Sequence, residues 1–186
     1  MEQKLPTSRH PYPLALLIPV AALLAACGGN SDSGAVNTGN VSVSGVVVDG
    51  ALQGVTVCLD LNDNLVCDPA EPRDITDSQG KYKLDTLTQT ALDRHRLIAN
   101  VPVGAVGADD PANPVATAYT LTAPIGKHAA ITPITTLISL TMDDDAGLTA
   151  DEAAKVVAAR INLAATPAEL FADYTRSGGS KVGAYS

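Results

Sequence analysis

Asp60, Asn62, Asn64, Asp68 and Glu71 stand at positions 1, 3, 5, 9 and 12 of a twelve-residue window, and Val66 stands at position 7. Oxygen-bearing side chains at alternate places in a tight loop turn toward a common centre. Position 7 adds a backbone carbonyl, and a carboxylate at position 12 binds through both oxygens. This is the ligand spacing of an EF-hand calcium loop, and calcium is a hard cation that takes about six to eight oxygens. Leu65 occupies position 6, where such loops carry glycine. An alternating strand precedes the window and Pro69 and Pro72 fall at its end, so a helix–loop–helix hand is rejected. The expectation is a calcium loop between β strands, with Asp77 as a further oxygen donor from the next turn. The competing reading is a solvated acidic turn, rich in Asp and Asn because they tolerate turn conformations.

Compartment follows from the N-terminus. Lys4 and Arg9 precede an uncharged run, Pro11 to Ala26, that ends in Leu24-Ala25-Ala26-Cys27. The apolar stretch is shorter than the ~20 residues a membrane-crossing helix needs, so it reads as a signal peptide. The run Leu-Ala-Ala-Cys resembles the bacterial lipobox, which implies cleavage before Cys27 and its diacylation, so that the lipid anchors the chain in a membrane. Gly28 in place of aspartate implies the outer membrane if the source is Gram-negative. Without residues 1–26 the chain keeps 10 basic and 19 acidic side chains, a formal charge of −9. That excess excludes nucleic acid as a partner and is compatible with calcium.

With Cys27 spent on lipid, Cys58 and Cys67 form an even count in an oxidising compartment and read as a disulfide. Two free buried thiols are the alternative. A bridge would clamp the ends of the acidic loop whether or not metal is bound.

The elements that must position this loop are β strands. Residues 27–40 hold Gly, Ser and Asn with few hydrophobes and form a flexible tether. From Val41 a period of two sets in, Asp49-Gly50 supplies a turn, and the run from Val55 alternates again. Val55, Val57, Leu59 and Leu61 fall on the core face, and Thr56, Cys58, Asp60 and Asn62 on the other. Further strands are expected at Lys81 to Leu84, after the Asp77–Gly80 turn, at Leu97 to Val101, and at Ala118 to Ala123, with residues 109–114 as loop.

Past Gly126 the period becomes helical. Thr132-Pro133 opens a helix with Ile134, Leu137, Ile138 and Thr141 on one face. Capping boxes at Thr149/Glu152 and Thr166/Glu169 open helices running to about Ile161 and Arg176. Asp143–Asp145 has the wrong sign for a helix C-terminus and reads as loop. The expected architecture is α+β: a small antiparallel β-sandwich over 41–125, then a helical segment over 126–186 that packs on the sheet or on a partner. The last stretch carries no closing cap, which leaves a longer parent chain open.

The stretch VCLDLNDNLVCDPAEPRDITDSQGKYKL resembles the B-type repeats of Gram-positive serine-aspartate-rich surface adhesins and, more broadly, prealbumin-like modules related to carboxypeptidase regulatory domains. The shared run is Asp-x-Asn-x-Asn, then Asp and Glu-Pro, then Thr76-Asp77-x-x-Gly80-x-Tyr82, within about residues 43 to 87. The resemblance implies a β-sandwich that binds calcium for rigidity and serves as a stalk or spacer, with no catalytic residues to carry over. Ile131-Thr-Pro-Ile-Thr-Thr-Leu also looks like a segment that follows such modules in large bacterial surface lipoproteins.

The chain holds no Gly-x-Ser-x-Gly, no His-Glu-x-x-His, no phosphate-cradling glycine loop and no zinc-type Cys/His set. His95, between Arg94 and Arg96, and His128 read as solvated, and the Arg94–Arg96 cluster as a charged strand border. Aromatics at 3% with no tryptophan argue against a stacking platform for sugars or single strands. The expected function is a non-enzymatic display module on the cell envelope. The alternative is an accessory subunit that contacts an envelope enzyme or transporter through its helices.

Overall fold

The computed structural model describes residues 40–174. Cys27, the signal peptide, the tether up to residue 39 and the stretch from residue 175 lie outside the described residues. The described residues lie in one compact unit and are α+β, with antiparallel strands and a few short helices.

β1 (Val41–Val47) begins by alternating and ends in a run buried on both sides. Val47 enters the core between the sheets, while Val46 and Val48 point into a second core beneath the helices. A strand covered on both faces reads as a continuous apolar run, and Val46-Val47-Val48 is that run. β2 (Leu52–Gln53) follows the Asp49-Gly50 turn, then β3 (Thr56–Leu59). The chain next forms the acidic loop, β4 (Arg73–Ile75), β5 (Lys81–Leu87), α1 (Gln89–Leu92), β6 (Leu97–Val101), β7 (Val106–Gly107), β8 (Tyr119–Ala123) and β9 (Ala130–Ile131).

One sheet has the order β5-β1-β9, antiparallel between β5 and β1 and parallel between β1 and β9. A fully antiparallel sheet has the order β4-β3-β6-β8, and β2 pairs with β7. Val57, Leu59, Leu84, Leu87, Leu97, Leu121 and Ile131 come from both larger sheets into one core. Each fully buried Val or Leu contributes roughly 1.5–3 kcal/mol.

Every residue of the Thr76-Asp77-x-x-Gly80-x-Tyr82 run has a structural task. Thr76 Oγ1 accepts from Val55 N–H at 2.9 Å and donates to Leu52 C=O at 2.6 Å. Asp77 Oδ1 accepts the N–H groups of Gln79 and Lys81 at 2.8 and 2.9 Å. Gly80 has φ +70°, and a Cβ there would collide with the Val47 carbonyl. Tyr82 is buried and donates its hydroxyl to His128 C=O at 2.5 Å. This desolvated phenol is pushed well above its ordinary pKa by burial.

The helical segment continues the same body. α2 (Pro133–Asp144) starts at Thr132, whose side chain caps Thr135 N–H while Thr135 Oγ1 accepts from Thr132 N–H. Thr135 Oγ1 also donates to Thr122 C=O at 2.7 Å, and Thr136 Oγ1 accepts Thr122 N–H at 2.9 Å. The outer edge of β8 is therefore closed by two hydroxyls of α2. α3 (Ala150–Arg160) presents Ala153, Ala154, Val157 and Ala158 to the core, and α4 (Pro167–Leu170) adds Leu170, with Phe171 and Tyr174 just beyond it.

Several expectations need correction. β3 ends at Leu59, so Leu61 is not on the core face but exposed. The inner face of α2 is Thr135, Ile138, Ser139 and Thr141, while Leu137 is 44% exposed. Ile138 and Thr141 lie inward as the spacing predicts, while Thr135 is drawn inward by its bond to β8 and Leu137 is left out. α4 is a single turn, far short of Arg176. Asp143 and Asp144 are helical rather than loop and Asp145 is the C-cap, with Arg96 offsetting the unfavourable position of Asp143. His95 and His128 are half-buried rather than solvated, and burial holds the His128 imidazole below its ordinary pKa. β2, β4, α1, β7 and β9 were not anticipated from the sequence.

Candidate functional site

The loop from Asp60 to Glu71 joins β3 to β4 and is tied at both ends by backbone bonds, Asp60 N–H to Arg96 C=O and Leu59 N–H to Pro72 C=O, each 3.1 Å. Between them the chain is turned by its own carboxylates. Asp60, with no solvent exposure, accepts Asn64 N–H at 3.1 Å through one oxygen and Leu65 N–H at 2.9 Å through the other. Glu71, also buried, accepts Leu61 N–H at 2.7 Å and Asp68 N–H at 3.0 Å. Positions 1 and 12 thus hold the two ends of the loop with charge-assisted bonds, stronger than neutral ones.

Leu65 adopts φ +61° and Asp63 φ +56°. The left-handed region costs an ordinary side chain roughly 1–2 kcal/mol, which is why glycine favours it. Leu65 takes the conformation that position 6 requires without being glycine, and its apolar side chain is pushed out to 43% exposure.

The middle of the loop converges. Asn62 Nδ2 and Asn64 Nδ2 donate to the same oxygen, Asp68 Oδ2, at 2.9 and 3.0 Å. Their Oδ1 atoms accept N–H groups from Asn64 at 3.3 Å and Val66 at 2.8 Å. Positions 3, 5 and 9 therefore meet at one point. Asp77 does not join them. Thr56 pairs with Ile75 and Cys58 with Arg73, so Asp77 lies past the opposite end of β3.

Cys58 and Cys67 form a disulfide that spans nine residues and brackets most of the loop, with Cα atoms 5.6 Å apart. Cys58 precedes Asp60 by two residues and Cys67 immediately precedes Asp68, so the bridge ties position 1 to position 9. Asn100 on β6 was not singled out from the sequence. Its Oδ1 accepts Cys67 N–H at 2.7 Å, and its Nδ2 donates to Leu65 C=O at 3.2 Å and Thr120 Oγ1 at 2.9 Å. It lies 33 residues from Cys67, and an isolated asparagine in an apolar strand is the only trace it leaves in the sequence.

Four carboxylates, Asp60, Asp63, Asp68 and Glu71, crowd this short segment. The Arg96 guanidinium lies within the electrostatic reach of Asp60 and Asp63 but is bonded to Asp143 at 2.7 and 2.9 Å. His95 Nδ1 is 3.9 Å from Asp63 Oδ1 and has no hydrogen-bond partner among the described residues. Among the described residues, no three His, Cys, Asp or Glu side chains are gathered to hold a metal. The loop's donor set relies instead on amide and backbone oxygens.

Open grooves lie on the surface of the described residues. One, of 420 Å³, runs beside the loop along Thr56, Leu65, Val66, Asn100, Tyr119 and Thr120. Another, of 680 Å³, lies away from it between β1, β4 and β5, around Gly45, Asp74, Ile75 and Tyr82. It is the larger, but the loop is where charge and polar groups converge. No helix among the described residues is long and apolar enough to cross a membrane. No family model, no curated protein and no solved structure matches the chain.

Proposed function

We propose that this chain is a non-enzymatic, lipid-anchored module of the cell envelope, a prealbumin-like β-sandwich whose disulfide-bracketed loop binds one calcium ion for rigidity and which serves as a structural or adhesive display element. The observation that carries the reading is the meeting of Asn62, Asn64 and Asp68 at one point, above an Asp60 carboxylate that holds Leu65 in the left-handed form. The shared core of the two larger sheets supports the sandwich, and the disulfide supports an oxidising compartment.

The residues fit a hard cation. Asp60, Asn62, Asn64, Asp68, Glu71 and the Val66 carbonyl supply oxygens, and Asn62 can exchange its amide nitrogen and oxygen by a half-turn because Asn64 N–H keeps its bond to Asp60. Calcium would offset the crowded carboxylates and lock the loop; it would be structural. Sites in extracellular modules typically bind at roughly 10⁻⁴ to 10⁻³ M.

The test is thermal unfolding of the disulfide-intact chain in millimolar calcium and in excess chelator, beside an Asp68→Ala variant. Calcium at 100 times its dissociation constant adds about 2.7 kcal/mol to a folded state that alone binds it. A stabilisation of that order, absent from the variant, supports the reading. No difference leaves the loop as a self-satisfied acidic turn.

A second reading, an accessory subunit that contacts an envelope enzyme or transporter through its helices, is favoured by one observation. Leu137 and Leu140 of α2 are 44% and 52% exposed. A cross-linker placed at Leu140→Cys that captures no specific protein in the native envelope would remove it.

A further inference from the structure

Asn100 makes three hydrogen bonds, and two of them reach into the loop on either side of Val66. Val66 is position 7, the residue that offers its backbone carbonyl. A trans peptide is planar, with its C=O and N–H pointing in opposite directions. The Val66 carbonyl and the Cys67 N–H belong to one peptide, so when Asn100 Oδ1 takes the N–H at 2.7 Å the carbonyl must point away from Asn100. The preceding peptide is held in the same way. Its Leu65 carbonyl accepts from Asn100 Nδ2, and its Val66 N–H, on the far side, donates to Asn64 Oδ1 at 2.8 Å. Both peptides thus face Asn100 with one end and point away from it with the other.

We propose that Asn100 is the positioning residue of the calcium loop: by gripping the chain on both sides of Val66 it fixes the direction of the position-7 carbonyl and so sets the affinity for calcium. The inference rests on the calcium reading above. Asn100 is itself held in place. It sits opposite Thr56 on β3 and Thr120 on β8, and Thr120 Oγ1 accepts its Nδ2. The disulfide ties Cys67 to the same sheet through Cys58, so the peptide that carries the carbonyl is fixed at both its hydrogen bond and its side chain. A flexible loop would have to lose that freedom on binding; here sheet and bridge have removed it beforehand.

The test is calorimetric titration with calcium of the disulfide-intact wild type, Asn100→Ala and Asn100→Ser, at a temperature where each is folded. The serine variant, too short to span Leu65 and Cys67, supplies the same comparison should the alanine variant fail to fold. The expected result is a dissociation constant about tenfold weaker, or about 1.4 kcal/mol, in whichever variants fold. Thermal midpoints in chelator are recorded alongside. A merely structural asparagine would lower those midpoints and leave the dissociation constant where it was, and that outcome overturns the proposal. A wild type that takes up no calcium overturns the calcium reading itself and this inference with it, and the wild-type arm alone reveals that case.

Discussion

The Arg96 guanidinium and the Asp143 carboxylate meet through two parallel bonds, Nη2 to Oδ1 at 2.7 Å and Nη1 to Oδ2 at 2.9 Å, across 47 residues of chain. The pair ties the start of β6 to the last turn of α2. It places a cation against a helix C-terminus through an intermediary, which offsets an aspartate otherwise unfavourable there. Those bonds hold the Asp143 carboxyl below its ordinary pKa.

A depressed folded-state pKa gives stability that is present above the ordinary carboxylate range and lost as pH falls through the lowered value. Asp143→Asn should therefore lower the thermal midpoint at neutral pH, and the difference should vanish once pH falls below the lowered folded-state pKa, where the wild-type carboxylate is also protonated. Asp143 is 46% exposed, so solvent screens the pair and the loss at neutral pH should be about 1 kcal/mol or less. A gap between the two proteins that persists undiminished in acid would show that the ion pair is not its source.

Removing the bridge should cost more. For a loop this short the chain-entropy model assigns a disulfide roughly 2–3 kcal/mol. Cys58→Ser/Cys67→Ser should unfold at correspondingly lower denaturant with a similar slope. If reduction left the midpoint in place, the sheet and Asn100 would be holding the loop without help.

The edge of β8 offers a sharper substitution. Thr135→Val keeps the shape of the side chain but removes the hydroxyl that Thr132 N–H and Thr122 C=O both use in the buried interior. Leaving buried partners unsatisfied costs about 1–3 kcal/mol. Thr136→Val, with the Thr122 N–H at stake in a half-buried place, should cost less. Equilibrium denaturation of the two would reverse that order if helix capping outside the interface dominated.

Tyr82 and Gly45 form a matched pair for mutation. A Cβ at residue 45 would overlap the Tyr82 hydroxyl and the His128 carbonyl. Gly45→Ala should lose about 1–3 kcal/mol to overpacking. Tyr82→Phe, which removes one of the overlapping atoms and strands the carbonyl, should lose about 1–2 kcal/mol. The double variant should be less damaged than the sum, and strict additivity in a thermal-shift cycle would mean the two do not share the space.

Much of this was legible because local chemistry decided it. Leu97 to Val101 forms a strand with the expected limits. Thr132, Thr149 and Thr166 all cap helices as their spacing requires. Capping boxes mark where a helix starts and carry no information on its length, so α4 ended after one turn. On α2, Ile138 and Thr141 turn inward as expected and Leu137 does not, because Thr135, bonded to β8, takes an inward place that a periodicity argument does not see. In the loop, the spacing from Asp60 to Glu71 was visible. That Leu65 adopts the glycine conformation was not, since the force that holds it is the Asp60 carboxylate. Asn100 was invisible because its partners arrive through sheet register, which one strand's sequence does not contain.

The outer N–H groups of β5 at Lys81 and Lys83 end on the carboxylates of Asp77 and Asp74, and Thr135 and Thr136 close β8 in the same manner. Two of the rims along which sheets recruit a neighbour's backbone are thus occupied by the molecule's own side chains. Copies of the chain can crowd together while these rims offer no template along which one copy could zip onto the next.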